Sequence, residues 1–174
     1  THPRTSDAAI QRRMLVALGE GLSRGGTHYD VDAERPAKAM RLLRTHLQQA
    51  TSGALDENAT PQERADAIRF LGVVELTHVV DPLDQLLNSR EPLEVQSAAL
   101  DALAGHPQPR VAEILLEKYR QFPPQLRATA ARTLLSRPAW TLAFLKAAHE
   151  GEISAAQVDA VQRELLLKHR DGEI

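Results

Sequence analysis

The residues of this chain that can bind a metal or transfer a proton are seven histidines and twenty-three carboxylates. The histidines are scattered, and no two lie three to five residues apart, as a helical metal site requires. His149 and Glu150 form the single His-Glu dipeptide, whereas helical-repeat metalloenzymes that use such pairs need several. We interpret His149 as a helix C-terminal histidine favoured by the dipole. The prediction is no catalytic, cofactor-binding or metal-binding residue, and no stoichiometric transition metal.

Trp140 is the only tryptophan of the chain, and one interpretation makes it a base-stacking platform of a DNA-repair enzyme. That interpretation also requires a basic groove. The predicted second helices carry a mixed set of charges instead, namely Asp81, Asp84, Glu113 and Glu117 against Lys118, Arg120 and Lys146. We favour the alternative in which Trp140 and Phe144, four residues apart, anchor a helix in the core.

Glycine, charge and cysteine patterns exclude several other kinds of site. Neither G-x-x-x-x-G-K nor G-x-G-x-x-G occurs, and the glycines at 19, 21, 25 and 26 are predicted to cap a helix, whereas a phosphate loop follows a strand. The formal net charge of −2 gives no excess of basic residues for a nucleic-acid backbone. Cysteine is absent, which excludes disulfides and thiolate sites. No window approaches 18 apolar residues, so membrane insertion is not expected.

One helical segment recurs four times and must position whatever the chain presents. In each copy an apolar residue stands four positions before a leucine, which places both on one helical face. The pairs are Ala67 and Leu71, Ala99 and Leu103, Ala130 and Leu134, and Val161 and Leu165. The leucines lie 32, 31 and 31 residues apart. This period predicts an all-α fold of the α-α superhelix class, a HEAT-like solenoid of antiparallel helix hairpins.

Prolines and capping residues divide the predicted single domain, residues 1–174, into hairpins. The predicted pieces are a divergent first hairpin at 1–55, HEAT-like hairpins at 60–90, 92–122 and 124–150, and an unpaired terminal helix at 154–170. The predicted helix starts are a capping box at Thr60, Pro61 and Glu63, then Asp81 with Pro82, Pro92, Pro109, Pro124 and Pro138. Gly53 is predicted to lie beyond the end of the second helix. The first helix is predicted from Ile10, Met14, Leu18 and Leu22, which recur every four residues.

Two levels of family resemblance follow from these residues. Residues 60–170 resemble HEAT repeats, with alanine in the middle of the first helix and leucine one turn later. The stretches LRATAARTLLSRPAWTLAFLKAAHEGEIS, LLLKHRDGEI and LVALGEGLSRGG resemble the helical segment of very large planctomycete-type multidomain proteins. In that family the segment lies between a dehydrogenase-like β-propeller and a c-type cytochrome domain that carries C-x-x-C-H. The resemblance transfers no catalytic residue, because this chain has no cysteine to attach haem. It implies a periplasmic or other extracytoplasmic setting.

The expected function is that of a non-catalytic scaffold or spacer, not an enzyme, excised from a larger redox protein. The main alternative is a protein-binding adaptor that uses its concave groove, and a less favoured one is a DNA glycosylase-like or metal-dependent hydroxylase-like enzyme. The expected partners are proteins, either flanking domains or another chain, and not nucleic acid. The apolar stripe of the terminal helix is expected to meet a downstream domain or a second molecule. The candidate interaction residues are Val158, Val161, Leu165, Asp84, Glu113, Glu117 and Lys146.

Overall fold

The fold is all-helical, with helices packed on one another. The computed structural model describes residues 13–22, 26–34 and 36–153. Across these ranges no β-strand forms, and extended pairing is confined to an isolated parallel bridge between Tyr29 and Val74. One compact unit ends at Pro107 and a second begins at Gln108. This boundary lies within the predicted hairpin 92–122, and the hairpin ranges stay predictions.

The first unit consists of helices joined by short turns and one extended loop. Residues 13–22 are helical and are called α1. The following helices are α2 at Ala37–Leu55, α3 at Pro61–Leu71, α4 at Leu76–Leu86 and α5 at Leu93–Ala104. The α3 helix packs against α2 and α5, and α4 packs against α5. None of the described helices combines the length and the apolar character needed to cross a membrane.

Small residues set how closely the helices of the first unit approach. A methyl group added at Gly53 of α2 would lie 3.7 Å from the Ala67 Cβ of α3, and one added at Gly72 would lie 3.1 Å from the Ala102 Cβ of α5. The distance at Gly53 is an ordinary van der Waals contact, whereas the one at Gly72 is tighter than that, so close packing restricts the side chain most at Gly72. The start of α3 is fixed by the predicted capping box, in which Thr60 and Glu63 satisfy each other's backbone N–H groups. That prediction is confirmed.

The second unit contains α6 at Pro109–Lys118, a 3-10 turn at Tyr119–Gln121, α7 at Pro124–Leu134 and α8 at Pro138–His149. The three helices pack on one another. Each begins at a proline, as the sequence predicts, because proline lacks the N–H that a first helical turn leaves unbonded. Trp140 and Phe144 are buried, and the Phe144 ring meets Tyr119 edge-on at 5.7 Å between centroids. The core interpretation of Trp140 is confirmed.

Three copies of the recurring segment occupy equivalent environments. The alanines Ala67, Ala99 and Ala130 are 1%, 0% and 0% exposed, and the leucines four residues later are all 0% exposed. The fourth copy, with Val161 and Leu165, lies outside the described residues, as does the whole predicted helix 154–170. The equal burial shows that the spacing correctly identified one inward face in three successive segments.

Helix α4 begins earlier than predicted. The Asp81-Pro82 pair was expected to open it, but it starts at Leu76 with Glu75 as the N-cap residue, and Pro82 lies inside. The start is displaced because the Glu75 N–H donates to the Tyr29 carbonyl at 2.9 Å, which fixes the chain direction just before the helix. Pro82 then removes one intrahelical hydrogen bond without ending the helix.

One further prediction in the first unit is wrong. Gly53 lies inside α2, which continues to Leu55. The helix predicted from Ile10, Met14, Leu18 and Leu22 is confirmed over residues 13–22. Its apolar stripe is exposed there, with Met14 at 61%, Leu18 at 62% and Leu22 at 43%. The buried residue there is Gly19, where an added methyl group would come within 2.5 Å of the Val73 Cβ. The inward face of α1 is therefore the one that carries Gly19, where the helix backbone approaches Val73 closely.

Candidate functional site

An extended loop after α1 carries two aspartates on one face. Residues alternate from Tyr29 to Asp32: Tyr29 and Val31 are buried, while Asp30 is half-buried and Asp32 exposed. This is the period of two expected of extended backbone. The Tyr29 hydroxyl donates to the Leu15 carbonyl at 3.1 Å, which ties the loop to α1. The buried tyrosine and valine thus turn both carboxylates outward.

A backbone bridge brings this loop to the start of α4. The Tyr29 N–H donates to the Val73 carbonyl at 2.8 Å, and the Glu75 N–H donates to the Tyr29 carbonyl. Asp30 and Glu75, which directly follow the bridged residues Tyr29 and Val74, are therefore held side by side. His78 lies one turn beyond Glu75 on α4, at the i, i+3 spacing that places two helical side chains on one face.

Asp30, Glu75 and His78, here called the His78 cluster, place one ligand atom each within 4.8 Å of one another. The His78 Nε2 atom lies 3.8 Å from Asp30 Oδ1 and 3.8 Å from Asp32 Oδ2, which is longer than a hydrogen bond. The Glu75 carboxylate makes no capping hydrogen bond to α4. The cluster therefore offers an imidazole nitrogen and two carboxylates at the end of one helix.

Arg44 of α2 braces the loop beside the His78 cluster. Its Nε donates to the Val31 carbonyl at 3.0 Å, and its Nη2 donates to Asp32 Oδ1 at 3.0 Å. A groove of about 550 Å³ runs between α2 and this loop, lined by Val31, Arg44, Leu47, Gln48, Thr51, Ser52 and His78. His78 is 22% exposed, so it forms part of the groove wall and can be reached from solvent.

A stacked pair of histidines is buried in the same unit. The rings of His28 and His106 stack with centroids 4.2 Å apart and planes at 26°. His106 is 0% exposed. Within the described part of the chain, His28 Nε2 and both ring nitrogens of His106 have no hydrogen-bond partner.

Burial determines the protonation of this stacked pair. Desolvation, and to a smaller extent the neighbouring His28, lowers the pKa of His106 from 6.5 to about 4. Burial also lowers the pKa of His28, against the opposing negative charge of Glu75. Both rings are therefore neutral at pH 7, as expected where the charged form has lost its water.

The predicted interaction residues are placed differently in the two units. In the second unit, Glu113 and Glu117 share a groove of about 490 Å³ with Leu116, Arg120 and Glu152. Lys146 is exposed on α8, with its Nζ 3.9 Å from Glu150 Oε1 on the same helix. In the first unit, Asp84 is half-buried on α4. Val158, Val161 and Leu165 lie outside the described residues.

His149 and Glu150 lie at the end of α8, where His149 is its last residue and Glu150 the C-cap. The interpretation of His149 as a C-terminal histidine is thus confirmed. The Arg137 guanidinium lies 4.7 Å above the Trp140 ring, so a cation–π contact occupies that face. His149 and Trp140 therefore each have a structural role in α8: His149 ends the helix, and Trp140 contacts Arg137.

Two features did not enter the sequence-based prediction. The Glu75-x-x-His78 spacing is visible in the sequence, but it is neither a histidine pair nor a His-Glu dipeptide. A G-x-S-x-G pattern, the spacing of a nucleophile elbow, spans residues 21–25. Such an elbow requires a strand before the serine, whereas residues 13–22 are helical, and Ser23 lies outside the described residues. The Glu75-x-x-His78 spacing therefore marks a stronger candidate site than the G-x-S-x-G pattern.

Comparison with family models, with curated proteins and with solved structures finds no match to this chain.

Proposed function

We propose that this chain is a HEAT-like helical-repeat module that acts as a non-catalytic scaffold or spacer. The observation that carries the proposal is the equal burial of Ala67, Ala99 and Ala130 and of the leucines four residues after them. Segments that recur every 31 or 32 residues and bury the same face are the elements of repeat architectures, whose stability comes from nearest-neighbour packing. Such proteins present surfaces and fix distances.

The extracytoplasmic setting belongs to the same proposal. It rests on the resemblance to planctomycete-type multidomain proteins, in which a helical segment separates a propeller from a cytochrome domain. In that setting the role of the module is to fix the separation of the domains attached to it. Stiffness is then the property under selection, and the alanine and glycine contacts of α2, α3 and α5 supply it by close packing.

A spacer must hold its attached groups at one separation, and single-molecule energy transfer measures this directly. Because the chain has no cysteine, pairs introduced by Gln49→Cys with Ala139→Cys, and by Gln49→Cys with Gln85→Cys, can be labelled without first removing native cysteines. All three positions are exposed. We expect one narrow efficiency distribution for the first pair, which joins the two units. A broad distribution there, beside a narrow one for the control pair inside the first unit, would refute the spacer function.

The groove of Glu113, Glu117 and Glu152 favours a second candidate, a protein-binding adaptor. Three carboxylates and one cation, Arg120, line this groove. Arg110 lies 3.1 Å from Glu113 and 3.7 Å from Glu117, so a segment rich in lysine and arginine would complement the groove by replacing Arg110 as the partner of these carboxylates. A fluorescent peptide of alternating lysine and alanine tests the proposal. We expect its affinity to fall in the doubly substituted Glu113→Gln, Glu117→Gln chain. It should persist in a doubly substituted Glu57→Gln, Glu94→Gln chain, which removes the same charge at exposed positions of the first unit. Equal affinities would exclude the adaptor groove.

A further inference from the structure

We propose that Asp30, Glu75 and His78 form a binding site for a divalent transition-metal ion of the Zn²⁺ class, which fastens the extended loop to the start of α4. The sequence predicted no metal site, because its metal-binding residues are scattered. The fold nevertheless brings these three residues together, because the Tyr29–Val74 bridge joins segments that lie 45 residues apart in the sequence. This inference does not depend on the scaffold function.

The distances suit coordination better than hydrogen bonding. With bonds of about 2.1 Å, neighbouring ligand atoms of a tetrahedral zinc site lie about 3.4 Å apart. The His78 Nε2 atom stands 3.8 Å from carboxylate oxygens of both Asp30 and Asp32. The three ligand atoms of the His78 cluster all lie within 4.8 Å of one another.

The charges around the cluster favour a cation. Asp30, Asp32 and Glu75 surround one imidazole, and the cation that pairs with this group, Arg44, bonds to Asp32. Backbone hydrogen bonds fix both ends of the cluster, because Asp30 follows the bridged Tyr29 and the Glu75 N–H itself donates to that residue. A site held in place by its fold loses little conformational entropy when the ion binds.

The mixed donor set indicates the class of metal. One imidazole with carboxylates suits Zn²⁺ and its first-row neighbours, whereas Ca²⁺ and Mg²⁺ prefer oxygen ligands throughout. Asp32, whose Oδ2 lies 3.8 Å from His78 Nε2, or a water molecule can complete four-coordination. Two protein segments then share one ion, and the ion closes the loop formed by residues 30–75.

The test is Zn²⁺ titration of the full chain, purified without a histidine tag, by competition with a chromogenic chelator. We expect one Zn²⁺ per chain. In His78→Gln and Glu75→Gln the affinity should fall at least about 100-fold, since loss of a residue that merely orients a ligand already costs 10- to 100-fold. The matched controls are His149→Gln and Glu150→Gln, a His-carboxylate pair at the end of α8, and these should leave the affinity within about twofold.

Three further measurements keep the proposal testable if a variant is destabilised. Circular dichroism establishes that each variant is folded, and the visible spectrum of bound Co²⁺ reports nitrogen and oxygen coordination in the unsubstituted chain. A thermal midpoint raised by Zn²⁺ in the unsubstituted chain and unchanged by Zn²⁺ in Glu75→Gln would support the site. Absence of Zn²⁺ binding at about 0.1 mM ion, or equal affinity in the cluster variants and the controls, would overturn it.

Discussion

The stacked pair of His28 and His106 should make the stability of this protein fall between pH 6.5 and pH 4. The perturbation is His106→Phe, which retains a planar ring against His28 but removes the group that titrates. His106 is 0% exposed, so the substituted ring remains in an apolar environment. The matched control is His149→Gln, at the exposed end of α8.

The magnitude follows from the pKa of His106. Folding lowers this pKa from 6.5 to about 4, and each unit corresponds to about 1.4 kcal/mol, so the effect is about 3 kcal/mol. Because the folded pKa is the lower one, the unfolded chain binds more protons between pH 6.5 and pH 4. The stabilisation is therefore complete above pH 6.5 and is lost as the pH falls toward 4.

Urea denaturation followed by circular dichroism, at intervals from pH 7 to pH 4, measures this loss. The unfolding free energy of the parent should fall by about 3 kcal/mol more than that of His106→Phe, while His149→Gln should follow the parent. Nuclear magnetic resonance titration of the His106 ring provides a direct check. A ring that titrates near pH 6.5, or parallel stability profiles for parent and His106→Phe, would refute the reasoning.

Three further substitutions test the packing and the capping of the helices. Ala99→Leu should cost about 1–3 kcal/mol by overpacking a fully buried position. The control is Ala139→Leu at an exposed position, and a thermal midpoint unchanged by Ala99→Leu would contradict close packing around Ala99. Thr60→Ala removes the capping box and should cost about 0.5–2 kcal/mol of unfolding free energy in urea. Arg64→Ala should cost about 3–5 kcal/mol, because it leaves the charge of Glu91 without its partner. Arg64 lies 2.7 Å from Glu91, and the two side chains are 4% and 15% exposed. A loss below about 1 kcal/mol would show that water replaces the guanidinium.

Local rules of the sequence predicted most of the helix starts. The capping box at Thr60 and the prolines at 109, 124 and 138 act within one helical turn, so no distant residue needs to be known. The burial of Ala67, Ala99 and Ala130 was predictable for a similar reason, since the four-residue step to a leucine defines one face. Each of these features depends only on residues within about one helical turn.

The failures arise where a distant residue changes the local outcome. Pro82 is a good first-turn residue, but the Glu75 N–H is held by Tyr29, which lies 46 positions earlier in the chain. Gly53 resembles a helix end in sequence, yet it lies inside α2 opposite Ala67 of α3. The His78 cluster depends on both local and distant residues. The Glu75-x-x-His78 spacing is a local pattern in the sequence. The position of Asp30 beside it depends on a backbone bridge that no local pattern encodes.

Glu75 acts on two histidines that differ in environment. Its negative charge opposes the lowering of the pKa of His28, and its carboxylate belongs to the cluster around His78. Linkage makes such an influence reciprocal. An ion that neutralises Glu75 makes His28 harder to protonate, and a proton on His28 weakens the attraction of Glu75 for that ion. If the proposed site holds a cation, acidity inside the core and cation occupancy at the surface are therefore coupled through one carboxylate.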